Sequence, residues 1–186
     1  VTTDPAAEMP AETPVTPATP PATTRLRIPV AVRWSDLDAY GHVNNAQAFT
    51  LLEEARIEAF WANPERPDPW PTAILAMGHG APVQTLVARQ EMEYARPMPH
   101  LRSGLLVQLW IGRMGGSSIE VCYSIHDPEP GTARTGPPLT SPPYAVAATT
   151  LVMVTTATGA PTRLLPEHRE ALMPYLDTPV AFRHRR

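Results

Sequence analysis

Residues 35–45 read Ser-Asp-Leu-Asp-Ala-Tyr-Gly-His-Val-Asn-Asn, the densest cluster of functional side chains in the chain. Three chemistries can be drawn from it. As a helix cap, Asn44 or Asn45 accepts from the orphan N–H groups of a following helix, Gly41 permits a positive φ, and Asp36 and Asp38 stabilise turns and face the positive helix end. As a calcium loop, Asp36, Asp38 and Gly41 match the first, third and sixth positions. However, Tyr40 stands at the fifth and Gln47 at the twelfth, where a bidentate glutamate is required. Asp38 and His42 give zinc two ligands with no evident third, so no metal is assigned. As a catalytic loop, a carboxylate just before a helix N-terminus faces free N–H groups and the positive end of the dipole. A carbonyl placed between them is polarised while a nucleophile waits beside it, which suits acyl transfer.

The elements that must hold this loop are marked out by proline, which lacks a backbone donor and is kept out of helix and sheet interiors. Six of the 24 prolines lie in the first 24 residues, among threonine and alanine. Residues 1–25 are therefore expected to form a disordered tail. A strand is expected over 26–34. The alanine-, leucine- and glutamate-rich residues 45–62 then predict a helix whose apolar residues spread over most sides, interrupted only by Glu53, Glu54, Arg56 and Glu58, so that other structure must wrap it. Strands follow over 83–95, with strict alternation, and over 105–114 and 117–126, which flank Gly115-Gly116 as a hairpin. A proline-rich insertion at 127–143 precedes a last strand at 144–156. A short helix is expected within 165–176 and a tail at 177–186. The order is α+β with antiparallel pairing: one domain at 26–176 in a chain of 186 residues.

Composition excludes several functions. All 15 basic residues are arginine, so Schiff-base enzymes and Walker-type phosphate loops are ruled out. The net charge of −3 gives no field for a nucleic-acid backbone or an anionic membrane surface. The single cysteine, Cys122, permits neither an internal disulfide nor a cysteine zinc cage, and its place inside a strand predicts a buried, inert thiol. No run reaches the roughly 20 apolar residues of a membrane helix, and residues 1–24 do not read as a signal peptide. A cytoplasmic protein is expected.

Residues 32–45, Val-Arg-Trp-Ser-Asp-Leu-Asp-Ala-Tyr-Gly-His-Val-Asn-Asn, resemble the signature of the hot-dog-fold acyl-CoA thioesterases of the 4-hydroxybenzoyl-CoA thioesterase type. Glu53-Glu54-Ala55-Arg56, Glu93-Tyr94-Ala95-Arg96-Pro97 and Gly116-Ser117-Ser118 are also similar to that family's pattern. The resemblance implies a long central helix wrapped by a curved antiparallel sheet, a homodimer or homotetramer with sites at the subunit interface, and hydrolysis of an acyl-CoA to a free acid and CoA. Coenzyme A enters as part of the substrate, with no separate cofactor. By the same resemblance Asp38 is the catalytic carboxylate, as general base or nucleophile, and the backbone N–H of Asn45 polarises the thioester carbonyl. Asp36, Gly41, His42 and Asn44 support the loop. Tyr40 shapes the acyl pocket, Ser117 and Ser118 meet substrate or nucleotide, and Arg113, with Arg89 and Arg96, faces the CoA phosphates. Glu54 is the reserve acid, since another hot-dog subgroup carries its acid in mid-helix.

The 127–143 insertion and the proline-rich N-terminus depart from the family pattern, and the hairpin lacks a basic cluster. A carrier-protein thioester therefore stands beside acyl-CoA as substrate. A hot-dog enoyl-CoA hydratase using Asp38 and His42, and a non-catalytic acyl-CoA-binding module, are the rival readings.

Overall fold

The computed structural model describes residues 23–75, 80–129 and 131–183. Most of the tail expected at 1–25 lies outside the described residues, and so do the last three residues of the chain. Six strands form one antiparallel sheet: β1 (Arg25–Val30), β2 (Val83–Tyr94), β3 (Leu105–Met114), β4 (Ser118–His126), the short β5 (Thr135–Gly136) and β6 (Ala145–Thr155). Their spatial order is β2-β6-β4-β3-β1-β5, which makes β2 an edge strand. Helix α1 (Asn45–Phe60) follows β1, and α2 (Pro166–Leu172) follows β6. No described helix is long and apolar enough to cross a membrane.

The pleat explains the main core. Leu26 and Ile28 on β1, Leu105, Val107, Leu109 and Ile111 on β3, and Val121, Tyr123 and Ile125 on β4 alternate onto one face and are buried. Onto them α1 lays Ala48, Leu51, Leu52, Ala55, Ala59 and Phe60. Each large side chain so buried contributes roughly 1.5–3 kcal/mol. The helix cradled by an antiparallel sheet is the hot-dog fold.

Four local features depart from the sequence reading. The first strand ends at Val30, and Trp34–Asp36 form a 3-10 turn instead. The Asp36 carboxylate draws the chain round by accepting from the Arg33 N–H at 2.7 Å. In β2 strict alternation fails, because a bulge between Val87 and Arg89 shifts the register by one residue. Val87 and Tyr94, expected on opposite faces, therefore both meet α1: Val87 lines a hollow with Glu53 and Arg56, and the Tyr94 hydroxyl donates to the Asn45 carbonyl at 3.2 Å. Arg56, read as part of the polar interruption of the helix, is buried, with its guanidinium 3.3 Å from the Tyr123 hydroxyl.

The fourth departure is the outer face of the sheet, which is covered. Residues from 127–143 and 177–183 lie across it. Gln108 accepts from the Leu139 N–H and donates to the Pro137 carbonyl, both at 3.1 Å. Arg25 pairs with Asp177 at 2.6 Å, and the Trp110 indole donates to the Thr178 carbonyl at 2.9 Å. Cys122 is buried beneath this layer, which pushes its thiol up to about 11.

Candidate active site

The loop before α1 is built almost wholly from local hydrogen bonds. Asp36 is buried, and its carboxylate takes the Arg33 N–H and guanidinium while its carbonyl accepts from the Asn44 N–H at 2.8 Å. These two ends close the loop. Burial alone would raise the Asp36 pKa, but the Arg33 hydrogen bonds outweigh it and hold the carboxyl below its ordinary range.

Inside the loop Asp38 makes a second, tighter turn. Its Oδ1 accepts from the His42 N–H at 3.0 Å and the Tyr40 N–H at 2.8 Å, and its N–H donates to the His42 carbonyl at 2.7 Å. Gly41 completes the turn with φ +79°, a value that disfavours any residue with a Cβ. One carboxylate oxygen is therefore fixed by backbone donors, and Oδ2 accepts no hydrogen bond among the described residues. The His42 N–H is the largest influence on Asp38 and holds it below the ordinary carboxylate range.

The chain then enters α1. Asn44 is the N-cap, its side chain accepting from the Ala46 N–H at 2.9 Å. The Asn45 N–H is at the first helical position, has no intrahelical acceptor and makes no hydrogen bond among the described residues. Strand β2 ends alongside and Val43 is tied to Met98 by a 2.8 Å backbone bond, so the loop faces the segment that leaves β2. Together these form an open cleft of ≈ 520 Å³, lined by Asp38, His42, Asn44, Asn45, Tyr94 and Arg96, among others. An anionic carboxylate, a free N–H at a positive helix end and an open space between them can hold and polarise a carbonyl.

Of the residues singled out from sequence, Asp38, His42, Asn44 and Asn45 meet in this cleft, and Asp36 and Gly41 shape the loop behind them. Tyr40 is 86% exposed and does not line it. Glu54 lines a separate hollow with Arg33 and Ile57. Ser117 and Ser118 sit at the far end of the sheet: Ser118 pairs with Val152 on β6, whereas Tyr94 pairs with Ala145. That separation of seven residues is about 23 Å. Arg113, near the same end, is exposed. Arg96 borders the cleft but is engaged by Asp127 at 2.9 Å and lies 3.5 Å over the Tyr144 ring. Tyr94 and Met98 line the cleft without having been singled out individually. The sequence signal for Tyr94 was its place at the end of the longest strand, inside the Glu93–Pro97 pattern, and Met98 carried no signal of its own.

Residues 32–172 match the family model described as the thioesterase-like superfamily. The chain belongs to that superfamily. Its relatives include the uncharacterised protein YsmA of Bacillus subtilis, 27% identical over 145 residues, covering 77% of this chain and 82% of that one. The probable thioesterase YbaW of Escherichia coli superposes with a TM-score of 0.57 at 27% identity, over 82% of this chain and 99% of YbaW. A Thermus thermophilus thioesterase, solved in complex with coenzyme A and zinc, gives 0.53 at 27% identity, over 79% and 91% of the respective chains.

Proposed function

We propose that this superfamily member is an acyl-CoA thioesterase, hydrolysing an acyl-CoA to a free carboxylic acid and CoA, with Asp38 as its catalytic carboxylate. The observation that carries the reading is the pairing of the Asp38 carboxylate with the unengaged Asn45 N–H across one open cleft. The thioester carbonyl oxygen accepts from the Asn45 N–H at the start of α1, where negative charge developing on the oxygen is stabilised by the helix end. Asp38 Oδ2 then either takes a proton from the attacking water or attacks the carbonyl carbon, expelling the CoA thiolate and leaving an anhydride that water cleaves. In both routes the backbone donors on Oδ1 fix the direction in which Oδ2 points. Coenzyme A as the carrier is supported by the Thermus thermophilus neighbour, which was solved with that molecule.

The enzyme acts as a homodimer joined along β2. This strand presents 12 residues at an open sheet edge, with Leu86, Val87 and Tyr94 exposed. Such an edge is a template for a further strand. An antiparallel two-fold pairing that uses all 12 residues sets residue 83 of one copy opposite residue 94 of the other. The end of the sheet that carries Ser117, Ser118 and Arg113 in one copy is thereby brought toward the Asp38 end of its partner.

A panel of acyl-CoA substrates with a thiol-trapping readout, run on wild type and Asp38→Asn, tests the reading. Wild type is expected to release CoA from at least one substrate, with kcat/KM falling about 10²–10⁴-fold in the variant. No hydrolysis across the panel, or an unchanged rate in Asp38→Asn, sinks it.

A further inference from the structure

The segment that leaves β2 forms the wall of the cleft opposite the Asp38 loop, and Arg96 stands in the middle of it. Two ties hold that wall against the loop. The Tyr94 hydroxyl donates to the Asn45 carbonyl at 3.2 Å, and the Val43 N–H donates to the Met98 carbonyl at 2.8 Å. Arg96 lies between these ties in sequence, and its side chain is 40% exposed, so its guanidinium belongs to the rim of the cleft.

That guanidinium has little freedom. Nη2 donates to Asp127 Oδ2 at 2.9 Å and to the Pro142 carbonyl at 3.2 Å, and the group lies 3.5 Å over the Tyr144 ring. The Tyr144 hydroxyl in turn donates to Asp127 Oδ1 at 2.5 Å, while the Tyr144 carbonyl accepts from the Ala95 and Arg96 N–H groups at 2.8 and 3.2 Å. All these partners come from the two ends of the 127–143 insertion and the residue that follows it. Nε is buried against them. Nη1 makes no hydrogen bond among the described residues and is not sealed in this way, so one face of a firmly held cation is left open at the rim.

A donor fixed in advance acts best on charge that appears only during the reaction. The carbonyl oxygen has its donor in the Asn45 N–H, and Asp38 directs the attack. The charge that remains develops on sulfur, whose long arm must leave through the open mouth where Arg96 stands. We propose that Arg96 Nη1 is a catalytic donor to the leaving sulfur, with Asp127 and Tyr144 as positioning residues that hold it. This rests on the thioesterase reading. The carbonyl carbon first gains a bond to the attacking oxygen, of water or of Asp38, and its C–S bond then breaks. The electron pair of that bond goes to sulfur, and the thiolate departs against the guanidinium. It then takes a proton from solvent, which receives the one lost by water. Arg96 keeps its own protons throughout, since a guanidinium is not deprotonated in proteins.

The test uses one acyl group, the best of the acyl-CoA panel, on three thiols: CoA, pantetheine and 4-nitrothiophenol. A thiol of low pKa leaves readily without help, so the nitrothiophenyl ester needs no donor at sulfur. In Arg96→Met, kcat/KM is expected to fall about 10–10²-fold on the CoA and pantetheine esters alike, the worth of a hydrogen bond to a charged group, and far less on the nitrothiophenyl ester. Arg96→Lys should restore part of the loss, and Asp127→Ala should show a smaller loss with the same dependence on the thiol. A loss confined to the CoA ester would make Arg96 a ligand of the nucleotide phosphates, and an equal loss on all three would make it structural; either overturns the proposal and leaves the thioesterase standing. Hydrolysis of no thioester by wild type overturns the underlying reading instead. Since each variant is judged by the contrast between substrates, a general loss of stability does not mimic the result.

Discussion

At the scale of the residue, the proposed chemistry turns on how one carboxylate is held. Asp38 accepts two backbone N–H groups on a single oxygen, and those donors favour the anion more than the slight burial opposes it. The group is therefore a weak base that is ionised throughout the neutral range. If it must be ionised to act, whether on water or on the carbonyl, kcat/KM stays level as pH falls from 7. Its acid limb should then appear only below the ordinary aspartate value of about 3.9. A pH profile of kcat/KM on folded protein checks this, and an acid limb near pH 6 would assign the essential group elsewhere. The same loop shows what was legible in sequence. Asp36, Asp38, Gly41 and Asn44 act through bonds to neighbours within eight residues, so spacing alone could mark them. Tyr94 reaches the cleft from 49 residues away, and only the folded register brings it there.

Elements meet most consequentially where β4 runs into the 127–143 insertion. His126, the last residue of β4, is buried, with Nε2 2.8 Å from the Ser124 hydroxyl and Nδ1 3.1 Å from the Ser141 hydroxyl. Burial, reinforced by the Arg96 charge, pushes its pKa down to about 4 from the ordinary 6.5, with Asp127 opposing in part. Folding thus expels a proton that the unfolded chain would bind below pH 6.5. Stability is complete above that pH and is lost as pH falls through the window from 6.5 to about 4, by up to about 3 kcal/mol. Urea unfolding at pH 7 and pH 4.5 should show this loss, with a shallower pH dependence in His126→Gln. Equal slopes in both proteins would remove His126 as the cause. The strand itself was legible in sequence as one of the two runs flanking Gly115-Gly116, as was α1 from its alanine-, leucine- and glutamate-rich composition. What covers it was not: Gln108, Trp110 and Arg25 find partners at 137–139 and 177–178, long-range contacts that no local period encodes. The β2 bulge escaped notice for a related reason, since it shows only as a shift of register against β6.

For the whole molecule, those coverings limit where the proposed dimer can form. The outer sheet face is occupied by the chain's own segments, and β5, at the far edge, is only two residues long. The long edge left for strand pairing is β2, so the proposed assembly through the sheet is a dimer. In the register that pairs all 12 residues, Leu86 of each copy stands opposite Glu91 of its partner, and the pair occurs twice in the dimer. Leu86→Glu sets like charges directly against one another at both places and removes two exposed apolar side chains from the interface. Each opposed pair costs about 0.2–1 kcal/mol, and the lost burial adds to it. The dimer dissociation constant is expected to rise roughly tenfold or more, with Leu86→Gln, uncharged and similar in size, giving a smaller rise. Sedimentation over a range of concentrations measures both. If the Asp38 cleft is completed across this pairing, hydrolysis by Leu86→Glu should also fall on dilution, in step with the dimer. A variant that remains dimeric with an unchanged constant would place the interface away from β2.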